Sequence, residues 1–247
     1  FLRRAHPRLC GTGGLMDPYL LRKLNRERAA RRAVIHLTDL GDGRDRVICE
    51  GDPVAGPLGV AIDGAFRSGK SGVAEVEDRK FFLNVHLPPA RIVAIGAVHI
   101  SQALAQMAKV AGFDISIVDP RTAFATEERF AGIDLVADWP EDVLKARPLD
   151  AYTALVAVTH DPKIDDFPLS QALSSGCFYV GALGSRKTHA KRVERLMALG
   201  HDEGEIARIS APIGLDIGAA SPAEIAVSIL ADIIAHLRRR PLRGTAP

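Results

Sequence analysis

The sequence predicts an α/β protein, in which a C-terminal Rossmann-like domain with a doubly wound parallel sheet follows a smaller N-terminal α+β domain. The continuous apolar run RIVAIG, residues 91–96, is typical of a strand buried on both faces of a sheet. Similar runs then alternate with helix-like segments, which favours a parallel sheet covered by helices. Pro88-Pro89 precedes this change of pattern and is the predicted linker, because neither residue has a backbone N–H for strand pairing.

The predicted N-terminal domain spans residues 16–87 and begins with a helix at Asp17, where Tyr19, Leu20 and Leu24 have helical spacing. Its further elements are strands at 33–40 and 46–50, a helix at 57–69, and a hairpin made of GVAEVED and KFFLNVHL. Residues 1–15 are basic and lack periodicity, so we interpret them as a disordered extension upstream of a true start at Met16.

The predicted Rossmann-like domain spans residues 88–247. Its strands are expected at 91–96, 114–119, 134–137, 154–160 and 178–184, and its helices at 99–110, 140–146, 169–175, 185–199 and 221–240. The last helix has a complete start signal, with Ser221 as N-cap, Pro222 at the first position and Glu224 at the third.

Composition excludes several classes of protein. With 247 residues, 47% hydrophobic and 25% charged, the chain is neither disordered, collagen-like nor a small disulfide scaffold. A net charge of +2 and 5% aromatic residues argue against a nucleic-acid binder. The three cysteines are widely separated, which argues against a zinc site and suits a reducing cytoplasm. No apolar run approaches the roughly 20 residues that span a bilayer, so we expect no integral membrane contact.

The charge is unevenly distributed along the chain. Residues 1–32 contain 9 Lys and Arg against 2 acids, whereas residues 33–247 contain 23 against 28. A basic leading helix could dock on an acidic partner. A pure interaction module is therefore one hypothesis for this protein.

Ligands of doubly wound sheets bind beyond the carboxyl ends of the strands, so those positions contain the candidate site residues. After the first strand, GAVHIS begins with Gly96 and includes His99, which could bond a ligand. It stands where a G-x-G-x-x-G dinucleotide motif belongs, but Val98 and Ser101 replace the second and third glycines. Asp119 ends the next strand, where a ribose-binding acid is expected.

Two further strand ends contain candidate residues with structural alternatives. Arg121 in the sequence DPR is a planar donor suited to phosphate, and it could equally form a loop ion pair. His160 and Asp161 in THDPK lie at the predicted crevice, and they could equally form a structural turn. No serine or cysteine accompanies them as a nucleophile, so acyl-transfer catalysis is unsupported.

The segment after the strand at 178–184 is the most informative. Gly181 and Gly184 allow tight backbone geometry, and Ser185 is a natural N-cap. The following helix begins with a cationic run that includes Arg186, Lys187 and His189, and its first acid is Glu194. Since a helix start already has positive partial charge, this run favours a bound anion such as a phosphate. An exposed basic helix is the structural alternative.

A glycine-flanked loop precedes the last helix. Asp216 lies between Gly214 and Gly218, in a loop that could close over a ligand or could be a rigid connector.

Taken together, these segments resemble the xanthine dehydrogenase accessory family, XdhC/CoxF, of molybdoenzyme maturation factors. The matching segments are GAVHISQALA, VDPRTAFATEERF, THDPKIDD, FYVGALGSRKTHAKR and APIGLDIGAASPAEIA. The chain departs from the family in two places: it has no counterpart of an N-terminal Ser-Gly-Gly-Cys motif, and Val98 replaces a glycine of the first Rossmann turn.

The resemblance implies a protein that binds molybdenum cofactor, as molybdopterin or its cytosine dinucleotide form, and the scattered cysteines predict that it is cytoplasmic. It also implies protection of the cofactor during sulfuration, with a cysteine desulfurase as a partner. Delivery to the apo large subunit of a xanthine- or carbon-monoxide-dehydrogenase-type enzyme would follow, and a homodimer is an open expectation. It favours a non-catalytic chaperone over an enzyme. The alternative from the residues themselves is an NAD(P)-dependent oxidoreductase, supported by the strand pattern and Asp119 and opposed by Val98.

Overall fold

The computed structural model describes residues 16–240, which form two compact units that meet in sequence between Leu87 and Pro88. The predicted extension at residues 1–15 lies outside the described residues. No helix among residues 16–240 has both the length and the apolar character needed to cross a membrane.

The first unit contains a four-stranded antiparallel sheet with two helices. Its elements are α1 (Pro18–Ala29), β1 (Val34–Asp39), β2 (Asp45–Cys49), α2 (Gly56–Ser68), β3 (Gly72–Val76) and β4 (Arg79–His86). The strands are ordered β2-β1-β4-β3, and β1 pairs with β2 and β4 in an antiparallel register. Val34, Ile35 and Leu37 of β1 are buried, so this central strand anchors the core of the unit. The α+β class predicted for this region is confirmed.

The second unit contains six strands, all paired in parallel, in the order β10-β9-β8-β5-β6-β7. Its strands are β5 (Arg91–Ile95), β6 (Asp114–Val118), β7 (Asp134–Val136), β8 (Thr153–Ala157), β9 (Tyr179–Ala182) and β10 (Ile209–Ser210). Its helices are α3 (His99–Val110), α4 (Pro140–Ala146), α5 (Pro162–Ser174), α6 (Arg186–Ala198), α7 (Glu203–Ile206) and α8 (Pro222–Arg239). The predicted Rossmann-like fold is confirmed.

Helices cover both faces of this sheet because both faces are apolar. One core contains Leu104 of α3 and Ile229 and Ile233 of α8, which pack against Ile92 and other residues of the strands. The other core contains Leu144 of α4, Leu169 of α5 and Leu196 of α6. Every residue of β8 is buried, as expected for a central strand between two helix layers.

The order of the strands reverses between β5 and β8. From β5 the chain proceeds through β6 to β7 on one side, and from β8 through β9 to β10 on the other. This is the topological switch point at which doubly wound folds open a crevice at the carboxyl ends of the strands. A ligand site of this fold is therefore expected at the crevice between β5 and β8.

Two parts of the second unit differ from the sequence expectation. The helix expected at 169–175 begins seven residues earlier, at Pro162. Asp161 is its N-cap, since the Asp161 side chain accepts a hydrogen bond from the Lys163 N–H, and a proline is favoured at the first position of a helix. Pro168 lies inside this helix, where a proline is usually a stop signal. The short elements α7 and β10 were not predicted, because four and two residues are too few to show a period.

Candidate functional site

Most of the predicted site residues lie at the carboxyl edge of the six-stranded sheet. Gly96 and His99 follow β5, Asp119 and Arg121 follow β6, His160 and Asp161 follow β8, and Gly184, Ser185, Arg186, Lys187 and His189 follow β9. Gly181 lies inside β9, and Asp216 is exposed in the loop between β10 and α8. Four adjacent strand ends thus surround the switch point.

Gly96 makes the closest approach at the switch point. Its φ is +118°, and a Cβ atom added to it would lie 2.9 Å from the Thr159 Cγ2 at the end of β8. A side chain here would therefore separate the two central strand ends. The backbone N–H of Gly96 donates to the Val118 carbonyl, and that of Val98 donates to the Ser101 hydroxyl. Ser101, which replaces a glycine of the dinucleotide motif, thus stabilises the turn by accepting a hydrogen bond from the Val98 backbone.

Asp119 fixes this turn to the neighbouring strand end. Its carboxylate is fully buried and accepts from the Ala97 N–H (2.7 Å) and from the backbone N–H and side chain of Arg121 (2.8–2.9 Å). Burial alone would raise the pKa of Asp119, but the Arg121 side chain and the two backbone donors outweigh it and the pKa lies below its usual value. The carboxylate therefore positions Ala97 and Arg121, and its contact with a ligand stays a prediction.

Arg121 is held by Asp119 with one face still available. Its guanidinium lies 4.7 Å from the centre of the Phe124 ring, in cation–π geometry. The hydrogen bond to Asp119 raises the pKa of Arg121 above its usual value. About a third of the side chain is exposed (32%), so a permanently charged donor is partly accessible at this strand end.

The end of β8 turns sharply at His160, which has a left-handed backbone conformation with φ of +65°. Its N–H donates to the Asp165 Oδ2 (3.1 Å), and the Thr159 hydroxyl donates to the Asp165 Oδ1 (2.7 Å). Burial raises the pKa of Asp165 to about 6, against the hydrogen bond from Thr159 and the charge of Arg192, which lower it. Asp165 thus holds the turn that exposes the His160 side chain.

The start of α6 has the geometry that the sequence predicts. Ser185 is the N-cap, and its hydroxyl accepts from the Thr188 N–H (3.2 Å). Gly184 has a φ of +140°, and a Cβ atom there would lie 3.1 Å from the Thr188 Cγ2, so the strand end packs directly on the helix. No acidic residue lies in the first turn, where Arg186 and Lys187 are exposed. The N-terminal partial charge of α6 is therefore reinforced by two side chains.

His189 and Arg192 point back from α6 into the protein. The His189 Nδ1 is buried without a hydrogen-bond partner among the described residues, and burial, with a smaller effect of the Arg192 charge, lowers the pKa of His189. The Arg192 side chain is buried, and one of its N–H groups donates to the Leu183 carbonyl (2.9 Å). Burial also lowers the pKa of Arg192, against the charges of Asp165 and Asp166, which raise it.

A cavity of about 200 Å³ between α5 and α6 joins two of the predicted groups. His160 and Lys187 line it together with Asp165, Thr188 and Arg192, which were not among the predicted site residues. A larger cavity of about 360 Å³ is lined by residues of β5, β6, β7 and α4 and contains none of the predicted site residues. We therefore assign the candidate site to the edge of the sheet and to the smaller cavity.

Two predicted residues stand apart from this cluster. Gly181 is required for packing, since a Cβ atom would lie 2.7 Å from the Tyr179 ring and 2.8 Å from the Ile213 Cδ1. Asp216 does not line the cavity.

The signal for the missed residues was their spacing. Residues four positions apart lie on the same side of a helix, and the inner side of α6 contains Thr188, Arg192 and Leu196. The prediction rested on the number of charges in the segment, which does not show which side of the helix each residue occupies.

Comparison with known proteins identifies similar sequences. A family model described as the XdhC Rossmann domain matches residues 92–233. The chain is 33% identical over 153 residues to a probable xanthine dehydrogenase subunit of Bacillus subtilis (strain 168), a match that covers 62% of this chain and 44% of that protein. It is 30% identical over 146 residues to the molybdenum cofactor insertion chaperone PaoD of Escherichia coli (strain K12), a match that covers 59% of this chain and 40% of that protein.

A third relative and a crystal structure are also similar to this chain. The uncharacterized protein YqeB of Escherichia coli (strain K12) is 32% identical over 165 residues, which covers 62% of this chain and 28% of that protein. The chain thus spans less than half the length of the curated relatives it matches. A crystal structure of a xanthine dehydrogenase from Bacillus halodurans superposes with a TM-score of 0.59 at 24% identity and covers 92% of this chain and 66% of that chain, a likeness of fold alone.

Proposed function

Because the chain belongs to the XdhC family, we propose that it binds molybdenum cofactor and acts as a chaperone that inserts the cofactor into a xanthine dehydrogenase-type molybdoenzyme. One observation carries the proposal: the cationic, acid-free start of α6 lies at the carboxyl edge of a Rossmann sheet, beside the switch point. The names of two relatives, a molybdenum cofactor insertion chaperone and a probable subunit of xanthine dehydrogenase, support the choice of ligand.

The phosphate chemistry of the cofactor suits this helix start. The cofactor is a pterin with a phosphate, or with a pyrophosphate when a nucleotide extends it. Backbone N–H groups at the start of a helix and nearby cationic side chains are the standard protein donors for such a group. In our proposal, Ser185 fixes the helix start, and Arg186 and Lys187 supply the charge.

The pterin would lie against the turn that follows β5. Gly96 leaves the strand end without a side chain, and the His99 side chain is exposed beside it. Arg121, which Asp119 holds in place, offers a charged donor at the next strand end. Asp119 is a positioning residue in this arrangement, since its oxygens already accept from the protein.

The geometry of the first turn favours this ligand over NAD(P). Dinucleotide folds present glycine backbone N–H groups of the first turn to the pyrophosphate. Here the N–H groups of Gly96, Ala97 and Val98 donate to Val118, Asp119 and Ser101 respectively. The acid that would bind a ribose is likewise committed to protein donors.

Finer steps of the function are proposed on the family resemblance. We expect the bound cofactor to be protected during sulfuration, with a cysteine desulfurase as the sulfur source, before transfer to the client. A client of the carbon-monoxide dehydrogenase type fits the same resemblance. The protein would then act by binding and release, without turnover of its own.

The Arg186→Ala/Lys187→Ala double variant tests the phosphate contact. Hydrogen bonds to charged groups contribute about 1.5–3 kcal/mol each, so we expect this variant to bind molybdopterin about 100-fold more weakly than the unaltered chain. Anaerobic titration of the full chain with molybdopterin measures this. The matched control, Arg238→Ala/Arg239→Ala, removes two exposed charges from the last turn of α8 and should bind normally. If the two double variants bind molybdopterin with equal affinity, Arg186 and Lys187 do not contact the phosphate.

A further inference from the structure

The cavity between α5 and α6 contains a buried cation with unused donors. Only 2% of Arg192 is exposed, yet its Nε and Nη1 atoms have no hydrogen-bond partner among residues 16–240. The remaining nitrogen, Nη2, donates to the Leu183 carbonyl and fixes the guanidinium in place. An unpaired buried donor is costly, and a buried charge more so, unless something anionic accepts from it.

The two acids of the cavity are committed to other groups. Asp165 accepts from the Thr159 hydroxyl and the His160 N–H, one at each oxygen. Asp166 forms a two-point ion pair with Arg195, at 2.5 Å and 3.0 Å. Arg192 thus lines a cavity whose two acids already have partners, while its own Nε and Nη1 are buried without one among the described residues.

The exposed side of the cavity adds positive charge. Lys187 and Lys191, one turn apart on α6, line the cavity and are both exposed. An oxyanion entering from solvent would meet these two ammonium groups first and the rigid guanidinium behind them. The volume, about 200 Å³, is below the roughly 300–1,000 Å³ of whole-ligand pockets, so it suits one group of a larger molecule.

We propose that this cavity is an oxyanion site, in which Arg192 donates from Nε and Nη1 to a phosphate group while Lys187 and Lys191 neutralise its charge. The identity of the natural ligand rests on the proposed function: the group would be the phosphate of the pterin cofactor, or the nearer phosphate of its pyrophosphate. Arg192 becomes the inner anchor of the phosphate, with the exposed start of α6 at its outer side.

Inorganic phosphate is the probe for this site, titrated calorimetrically into the full chain. We expect Arg192→Met to bind phosphate at least about 10-fold more weakly, and Lys191→Ala to show a smaller loss. Lys163→Ala, which removes an exposed charge of α5 outside the cavity lining, should bind as the unaltered chain does. We also expect Arg192→Met to keep or raise the thermal midpoint, because it replaces an incompletely paired buried charge by an apolar side chain. An Arg192 with a purely structural role would lower the midpoint instead.

The outcomes separate this site from the proposed function. Phosphate binding that is unchanged in Arg192→Met and Lys191→Ala would overturn the site. If Arg192→Met fails to fold, the comparison of Lys191→Ala with Lys163→Ala decides. If Arg192→Met binds molybdopterin as tightly as the unaltered chain does, the proposed function stands and the proposed site is overturned. If the chain binds phosphate through Arg192 but does not bind molybdopterin, the proposed site stands and the proposed function is overturned.

Discussion

The Asp119→Ala variant is expected to lose about 1–3 kcal/mol of unfolding free energy, the usual cost of leaving a buried hydrogen-bond donor without its acceptor. The substitution leaves the buried Ala97 N–H without its acceptor, and it leaves the Arg121 guanidinium without the carboxylate that holds it. The turn after β5 and the donor after β6 would lose their common support. Denaturant unfolding of the full chain measures the effect.

Asp114→Ala is the matched control for this prediction. Asp114 begins the same strand, β6, and its side chain is exposed, so its removal should change stability by less than about 0.5 kcal/mol. Asp119→Asn should fall between the two, since the amide keeps one accepting oxygen. If Asp119→Ala were as stable as Asp114→Ala, the carboxylate could not be the element that holds the two strand ends together.

The Gly96→Ala variant is expected to lose about 3 kcal/mol and most of its affinity for molybdopterin. A φ of +118° is open to glycine and strained for alanine, which costs about 1–3 kcal/mol. The added Cβ atom would also lie 2.9 Å from the Thr159 Cγ2 and 3.3 Å from the Val158 Cγ2. The central strand ends would have to separate at the switch point, where we place the pterin.

The Gly112→Ala variant separates the effect of backbone strain from the effect of crowding by the added Cβ atom. Gly112 has a φ of +80° in the turn after α3, and a Cβ atom added there would have nothing within 4 Å, so it reports backbone strain without crowding. We expect Gly112→Ala to be destabilised less than Gly96→Ala and to bind molybdopterin normally. Equal losses in the two variants would mean that the contact between β5 and β8 contributes nothing.

Much of the fold followed from local patterns in the sequence. The apolar run at 91–96 became a central strand, because a parallel strand between two helix layers has no polar face. The first residue of α8 was predicted correctly from Ser221, Pro222 and Glu224, because a capping box depends on two side chains three positions apart. The start of α5 was missed because Asp161 and Pro162, its N-cap and first residue, were interpreted as part of a turn.

The site was predictable only as a set of positions. The strand ends were identified because topology alone brings them to one edge of the sheet. What each residue does there depends on tertiary contacts. Asp119 was identified by its place at a strand end, whereas its hydrogen bond from Ala97, 22 positions away in sequence, is visible only in the fold. Arg192 belonged to a visible basic run, and only the packing of α6 on α5 shows that it is buried.

The pterin content of the full chain tests the central claim most directly. The protein is produced in a host that makes molybdenum cofactor, purified without oxygen and then oxidised, and the fluorescence of the released pterin is measured. We expect pterin in stoichiometric amount and less of it in the Arg186→Ala/Lys187→Ala variant. Protein that is isolated without pterin and also fails to bind added molybdopterin would contradict the proposed function, most clearly if it held NAD(P) instead.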